Sequence, residues 1–444
     1  MGGSLLALLV VVAAQDDKAR IGELEKRIQQ QEEELQMQKT LLKGLRDGYS
    51  EIKESAKEQE KPKDDDFRVF YKTGLNFESG DGNFKVKLGG RIHDDWLWWL
   101  EPDDDVEDAV GRLDEGTEFR RARLFTSGTL FERVEFKAQY DFTDGDADFK
   151  DLWLGVKGIP IVNHIRVGQM KEPFGLEELT SSNTITFMER STASEAFAPS
   201  RNTGLMVFDT ALEDDRLWWG AGVFRDTDDF GDDPGGGEFN ITAHLTGLPY
   251  WEDDGKKMIH LGAAVSRREA NENRLRRRSR PEIHNGPRFV DTGNFAADDE
   301  FLAGLEGALV YDGFSLQGEW MIDAVNRERP SDDVTFTGGY IQASFWITGE
   351  HRPYKRSDGA FDRVKPIENF LGKEEGVGAW EVAIRWSTLD LTDDVIAGGE
   401  LDGWTLGVNW HLNPQARWML NLVVPDLDDV GTSSAMMMRF QIDF

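Results

Sequence analysis

The chain has 444 residues, with 83 Asp and Glu against 51 Lys and Arg, and no cysteine. A formal charge of −32 argues against non-specific nucleic-acid binding, because a polyanion repels a phosphate backbone. The missing cysteines exclude disulfides, thiolate catalysis and thiolate metal sites.

The first residues predict a secretory signal peptide, residues 1–14. Residues 5–14 are an unbroken apolar run, too short for the roughly 20 helical residues that span a hydrocarbon core of about 30 Å. Small residues, Ala13 and Ala14, precede Gln15, as at a signal-peptidase site. No Lys or Arg precedes the run, which points to a start codon further upstream. The alternative is a buried N-terminal helix or strand.

Residues 15–60 predict an oligomeric coiled-coil stalk. Apolar residues recur with a heptad period, and Glu, Lys and Gln fill most other positions. The a positions are Ile21, Ile28, Leu35, Leu42, Tyr49 and Ala56, and the d positions are Leu24, Gln31, Gln38, Leu45 and Ile52. A lone amphipathic helix is the alternative. Residues 61–66, which include Pro62 and three aspartates, predict a polar linker.

From residue 67 to residue 444 the hydrophobic period changes to two, which predicts β-strands. Val382 and Ile384 alternate with Glu381 and Arg385, for example. A soluble β-sandwich also alternates, so the period alone does not decide the fold. A low hydrophobic content of 39 % suits a membrane barrel, in which only alternate strand residues meet lipid. We therefore predict an all-β fold, a transmembrane antiparallel β-barrel of about 16 strands.

The last residues favour the barrel over the sandwich. Met438, Phe440, Ile442 and Phe444 alternate with polar residues. A final amphipathic strand that ends in phenylalanine is typical of the signal by which barrel proteins are recognised for membrane insertion. The 14 tryptophans cluster near predicted strand ends, as in the aromatic girdles of such barrels.

Several motifs in a fixed order resemble the phosphate-selective porin O/P family across nearly all of residues 67–444. They lie at residues 86–92, 118–123, 167–177, 179–182, 187–190, 348–355 and 406–410. The resemblance implies a homotrimer of outer-membrane barrels. It also implies that each pore is narrowed by an inward-folded loop and lined with Arg and Lys, and conducts anions passively.

An arginine cluster lies between positions 267 and 280, with seven members. Their mutual repulsion is costly unless anions, carboxylates or water offset it. The guanidinium fork matches phosphate oxygens, so a row at a pore mouth would guide anions inward. The family resemblance implies such a row here, and we select Arg274, Arg276, Arg278 and Arg280. The alternatives are a solvated loop paired with nearby acids, or a contact with anionic lipopolysaccharide.

Five strand residues match positively charged wall positions of the family: Lys87, Arg91, Arg120, Arg121 and Arg123. Adjacent strand residues point to opposite faces, so Arg120 and Arg121 cannot both face the lumen without a bulge or a loop edge. We expect Arg121 and Arg123 to point inward, with Arg120 nearer a rim.

The inward loop is expected at residues 172–202, and here the sequence departs from the family. Glu178 and Asn183 occupy places where phosphate-selective members have lysine, although Arg190 and Arg201 remain. A carboxylate in a narrow pore disfavours anions. A weaker anion preference, or passage of small solutes in general, fits this loop as well as strict phosphate selectivity.

Spacings typical of metal sites, nucleophile motifs and phosphate-binding loops are absent from the sequence. We therefore expect no cofactor, no metal and no enzymatic activity. The sequence predicts a porin for small anions, phosphate or polyphosphate favoured, in the outer membrane of a Gram-negative-type cell with its stalk in the periplasm. The alternatives are a general small-solute porin, an envelope-anchoring barrel whose stalk contacts peptidoglycan, or a secreted carbohydrate-binding β-sandwich.

Overall fold

The computed structural model describes residues 3–59, 66–143, 145–233, 237–373, 375–393 and 395–444. In the N-terminal helix the side chains of residues 22–50 and 53 are described. The chain divides into two compact units, Met1–Asp66 and Phe67–Phe444.

The first unit contains one helix, α1 (Gly3–Gln59). The heptad side chains Leu24, Ile28, Leu35, Leu42 and Leu45 are 52 to 68 % exposed. The side chains of the predicted signal peptide lie outside the described part of the structure, and so do residues 61–65 of the predicted linker. Within the described residues, α1 and the other helices lack a segment of sufficient length and hydropathy to cross a membrane.

The second unit is a closed antiparallel β-barrel, which confirms the predicted fold class. Its described residues form sixteen barrel strands. They are β1 (Phe84–Glu101), β2 (Gly116–Leu130), β3 (Val134–Asp141), β4 (Asp148–Ile159), β5 (Asn163–Lys171), β6 (Arg201–Ala211), β7 (Leu217–Arg225), β8 (Asn240–Glu252), β9 (Lys257–Glu269), β10 (Asp299–Tyr311), β11 (Phe314–Asn326), β12 (Val334–Trp346), β13 (Ala379–Asp393), β14 (Ile396–Asn413), β15 (Ala416–Leu427) and β16 (Ser434–Asp443). Each strand pairs with the next, and β16 pairs with β1 from Ser434↔Glu101 to Asp443↔Arg91, so the barrel has no free edge.

The smaller elements sit at the two ends of the barrel. A hairpin of Phe67–Tyr71 and Leu75–Ser79 extends β1 at the end where the short turns lie, which we call the turn end. The other end, the loop end, carries most of the longer connections, with residues 347–378 at the turn end as the exception. The remaining elements are α2 (Asp104–Val110), α3 (Leu176–Leu179), α4 (Thr192–Phe197), the 3₁₀ turns Glu213–Asp215, Asp253–Gly255, Asn271–Asn273 and Arg356–Asp358, and the two-residue strands Arg274–Leu275, Arg278–Ser279, Val290–Asp291, Phe295–Ala296, Tyr354–Lys355, Ala360–Phe361 and Gly431–Thr432.

The distribution of polar side chains is the reverse of that in a soluble protein. On β13, Val382 and Ile384 are 38 and 42 % exposed, whereas Glu381 and Arg385 are 3 and 1 % exposed. Apolar residues thus face outward, where a bilayer would cover them, and charged residues face the lumen. The arrangement excludes the carbohydrate-binding sandwich, which would bury its apolar face.

Three long connections contact the lumen wall. In the inward loop (residues 172–200), the Thr186 carbonyl accepts a hydrogen bond from Asn409 at 2.8 Å. In the arginine loop (residues 270–298), Glu282 pairs with Arg385. In the turn-end segment (residues 347–378), Arg352 donates to Gln317 at 2.6 Å. These segments occupy the part of the lumen beside β9–β16, and a cavity remains beside β1–β7.

Candidate anion site in the barrel lumen

The inward loop begins with a short helix that is held at both ends. Gly175, at φ 74°, precedes α3, and a Cβ there would lie 2.9 Å from a Glu319 carboxylate oxygen. That carboxylate accepts hydrogen bonds from the Leu176 and Glu177 N–H groups at 3.0 and 2.6 Å. It thus satisfies donors that a helix N-terminus leaves unpaired. Glycine is required here because a side chain would displace the carboxylate that anchors the loop.

Arg190 holds the other end of α3. Its guanidinium donates to the carbonyls of Glu177, Glu178 and Thr180 at 3.0 to 3.1 Å. A cation is favourable at a helix C-terminus, where carbonyl oxygens lack partners. Arg190 thereby links the second half of the inward loop to α3, and several of its N–H groups are already engaged in these hydrogen bonds.

Buried ion pairs attach the loop to the far wall. Arg439 of β16 contacts both oxygens of Asp95 at 2.6 Å and Glu189 of the loop at 2.7 Å. Arg385 of β13 contacts Glu177 at 3.1 Å. Both arginines are at most 1 % exposed. A buried charge without its partner is strongly destabilising, so these contacts fix the loop across the lumen.

The remaining lumen cavity, ≈ 660 Å³ in volume, is electropositive. Eleven Lys and Arg and five Asp and Glu side chains line it, a formal charge of +6 inside a chain of −32. The cations are Arg91, Arg120, Arg121, Arg123, Lys137, Lys150, Arg166, Lys171, Arg190, Arg201 and Lys355, and the acids are Asp151, Glu178, Asp228, Asp229 and Asp358. Low-dielectric walls lined by one sign of charge raise the local concentration of counter-ions.

Most of these lining cations are paired with carboxylates. Arg123 contacts Asp141 at 2.6 Å, and Arg121 has a longer contact of 3.9 Å to Glu189. Of the eleven lining cations, Arg91 and Arg166 alone form no ion pair with a described residue. Arg91 donates to the Ser182 hydroxyl of the inward loop at 2.9 Å. Its guanidinium therefore has no carboxylate of the described residues within ion-pair distance, although Asp443 is its neighbour on β16.

The adjacent arginines of β2 both line the cavity. His93 pairs with Arg121 and Asp94 with Phe119, so Arg120 is an extra residue in a β-bulge. The bulge turns Arg120 to the same face as Arg121, and Arg120 contacts Glu189 of the inward loop at 3.0 Å. The expected rim position of Arg120 is therefore wrong, and the bulge is the reason.

Two other residues singled out in the sequence lie away from the lumen cavity. Lys87 lines a second cavity of ≈ 320 Å³, the turn-end cavity, and donates to the Thr73 hydroxyl at 3.1 Å. The Asn183 side chain contacts His93 at 3.1 Å. Asn183 therefore packs the inward loop against β1.

The arginine loop does not line the lumen cavity with a row of unpaired arginines. Arg276 pairs with Asp291, and Arg280 pairs with Glu195 at 3.3 Å. Arg274 and Arg278 are exposed. These four arginines are absent from the described lining of the cavity. At Arg276 and Arg280 the structure therefore agrees with the alternative interpretation, in which the arginines of this loop pair with nearby acids.

Glu178, expected to oppose anions, is buried between two cations. Its carboxylate lies 3.1 Å from Lys171 and 2.9 Å from Arg190. Burial raises the pKa of this carboxyl, but attraction to Arg190 and Lys171 outweighs burial and leaves the pKa below its usual value of 4.5. Glu178 is therefore ionised at neutral pH and cancels cationic charge at the cavity wall.

Replacing Glu178 by Gln is expected to raise the anion-to-cation permeability ratio roughly three- to tenfold, about 0.7–1.4 kcal/mol, because charge on two cations is released. The reversal potential in a KCl gradient measures this ratio. The pKa of Glu178 is lowered from its usual value of 4.5. The wild-type permeability ratio should therefore stay constant from pH 8 to pH 5, and it should rise only at a pH below that usual pKa, where the carboxylate becomes protonated. Glu132→Gln, on an exposed turn, is the matched control, and an unchanged ratio in Glu178→Gln would contradict the assignment.

Sequence reasoning missed five cations that line the cavity: Lys137, Lys150, Arg166, Lys171 and Lys355. Lys137 lies on the polar face of an alternating strand, so its inward direction was readable from the period. Which inward residues border an open cavity depends on where the inward loop lies. That position follows from long-range ion pairs that the period does not encode.

Comparison with known proteins places these features in context. The family model of the phosphate-selective porin O and P matches residues 86–444. Porin O of Pseudomonas aeruginosa is 26 % identical over 390 residues, 79 % of this chain and 85 % of that protein. An uncharacterised protein of Caulobacter vibrioides is 29 % identical over 376 residues, 81 % of this chain and 72 % of that protein.

Solved structures of outer-membrane proteins share the fold. The anion-selective porin from Comamonas acidovorans has a TM-score of 0.51 at 13 % identity, covering 81 % of this chain and 100 % of that one. In-vitro folded OmpT of Vibrio cholerae has a TM-score of 0.51 at 10 % identity, covering 82 % of this chain and 98 % of that one. At these identities the likeness is one of fold.

Proposed function

Because the chain belongs to the phosphate-selective porin O and P family, and is thus an outer-membrane porin, we propose that it conducts small inorganic anions, with phosphate or polyphosphate favoured. Transport is passive diffusion down a gradient. No step of covalent chemistry is involved.

The observation that carries this proposal is the charge of the lumen cavity, +6 by its lining residues in a chain of −32. A cation that enters this cavity is repelled by the wall, whereas an anion is attracted. The anion selectivity in the name of the Comamonas acidovorans porin, whose fold is similar, agrees with this sign.

Arg91 and Arg121 are the residues proposed to contact the anion beside the inward loop. Arg91 forms no ion pair with a described residue, and the nearest carboxylate contact of Arg121 is 3.9 Å. The Nε atoms of both are buried without a hydrogen-bond partner. The guanidinium N–H groups of Arg91 and Arg121 that border the cavity replace part of the hydration shell of an anion as it passes the loop. Arg120, Arg123, Arg190 and Arg201 contribute charge from ion-paired positions.

A second candidate function, a general small-solute porin, is favoured by the pairing itself. Nine of the eleven described lining cations contact a carboxylate, which lowers the net field that an anion experiences. The two functions differ in sign and degree of selectivity, so one electrical measurement separates them.

That measurement is single-channel recording of the refolded protein in a planar bilayer. In a KCl gradient we expect a reversal potential of anion-selective sign, and phosphate added to both compartments should block the chloride current. A reversal potential near zero would support the general porin. A cation-selective potential would overturn the anion pathway altogether.

The N-terminal helix supports a further part of the proposal, a homotrimer with a periplasmic stalk. Its exposed heptad leucines are the side chains that a coiled coil would bury against identical helices. The turn end, which the chain enters through the Phe67–Tyr71 strand, would then face the periplasm, with peptidoglycan in reach of the stalk and lipid around the barrel. A chain lacking residues 15–60 that still conducts would assign conduction to the barrel alone, whereas loss of conduction would overturn that assignment.

A further inference from the structure

Arg166 is clamped between two aromatic rings on the lumen wall. It lies on β5, three residues from the start of the strand at the turn end. Its Cζ is 4.1 Å from the ring centroid of Trp153 and 4.4 Å from that of Phe208. These residues belong to β4 and β6, the strands on either side of β5. Cation–π attraction to rings from both flanking strands therefore restrains the guanidinium.

The polar edge of this guanidinium is unused. Among the described residues, no carboxylate forms an ion pair with Arg166 and none accepts a hydrogen bond from it, and its buried Nε has no partner. The five N–H donors of a guanidinium lie in its plane. Because two rings pack against the guanidinium, a solute in the lumen meets the N–H groups that border the cavities.

Arg166 also stands at a junction between two cavities. Arg166 and Trp153 are the two residues found in the described lining of both the lumen cavity and the turn-end cavity. In the described lining of the turn-end cavity, Lys85 and Lys87 are balanced by Glu78 and Glu135, so Arg166 supplies its net positive charge. A solute that moves from one cavity to the other therefore passes the guanidinium edge.

We propose that Arg166, clamped by Trp153 and Phe208, is a second anion-binding site of the pore, and that it favours oxyanions over halides. Two oxygens of a phosphate or carboxylate accept two parallel N–H bonds from the edge, whereas a halide offers a single acceptor centre. The restraint that the two rings impose on the guanidinium lowers the entropy lost when those bonds form. This inference rests on the proposed anion conduction and adds a place and a solute class to it.

The test compares Arg166→Lys with the wild-type full chain, both refolded and recorded in planar bilayers with inorganic phosphate as the probe. Lysine keeps the charge and removes the planar fork. The reversal potential in a KCl gradient should therefore stay unchanged, while the phosphate concentration for half-block of the chloride current rises about tenfold. Arg329→Lys, on an exposed part of the loop end, should leave both quantities unchanged. A half-block concentration in Arg166→Lys equal to that of the wild type would overturn the site.

Phe208→Leu provides the second variant. It keeps the guanidinium but removes one face of the clamp, so the half-block concentration of phosphate should rise by about threefold with conductance in KCl preserved. An unchanged half-block concentration would also overturn the site. Failure of the proposed function has a different signature, because the wild-type protein itself would then show neither anion selectivity nor block by phosphate.

Discussion

Replacement of Arg91 by Glu is expected to abolish the anion preference of the pore. Arg91 forms no ion pair with a described residue, and it donates to Ser182 of the inward loop at 2.9 Å. A carboxylate at this position changes the local charge by two units. Even at a water-like dielectric constant, that change costs an anion a few Å away about 2 kcal/mol, roughly a 30-fold fall in the anion-to-cation permeability ratio.

The reversal potential in a KCl gradient measures this change, and Arg329→Glu provides the control. Arg329 lies in a loop-end connection with its side chain 76 % exposed, so the substitution alters the total charge equally while leaving the lumen intact. If the two variants shift the reversal potential equally, selectivity depends on the total charge of the protein. Arg91 would then have no special place in the pathway.

Replacement of Arg439 by Met is expected to release the inward loop. The substitution leaves Asp95 and Glu189 without the guanidinium that contacts both. Burial raises the pKa of Glu189, but attraction to Arg120, Arg121 and Arg439 holds that pKa well below its usual range. In the variant Glu189 keeps only Arg120, at 3.0 Å, and the more distant Arg121 as partners, and Asp95 loses its guanidinium. Breaking a buried pair in this way costs about 3–5 kcal/mol.

Two readouts follow from this release. The folded form should be lost at a lower temperature on a denaturing gel, and single-channel conductance should rise because the loop no longer narrows the lumen. Arg417→Met is the matched control, because Arg417 is also buried but binds Gln441 and the Ile185 carbonyl and forms no ion pair with a described carboxylate. Adding Asp95→Asn and Glu189→Gln to Arg439→Met should recover much of the stability. Equal effects of Arg439→Met and Arg417→Met would show that the ion pairs do not hold the loop.

The barrel itself was predictable because its rule is local. Each strand carries a period of two, and the same alternation recurs from Lys85 to Phe444. The period alone could not separate a barrel from a sandwich, and the final strand was needed to favour the barrel. The structure confirms the barrel, because Val382 and Ile384 are exposed and Glu381 is buried. Fold class therefore follows from features within about ten residues of each other.

The site was less predictable because its geometry depends on residues far apart in the chain. A strict period of two assigns Arg120 to the outer face of the barrel, but a β-bulge turns it to the lumen. Glu178 looks like an obstacle to anions in the sequence, but in the structure Lys171 and Arg190 enclose it. Arg166 gave no signal, because its aromatic neighbours come from two other strands.

The contact between Glu189 and Arg439 spans 250 residues of sequence, and it bears on the order of assembly. Arg439 lies on β16, the strand that pairs with β1 to complete the barrel. Contacts of such long sequence separation form late in folding, because a large loop must first be closed. The inward loop can therefore take its final position only after the last strand has been added. During biogenesis the barrel would pass through a wide, unobstructed stage, and closure of the wall and narrowing of the channel would be a single event.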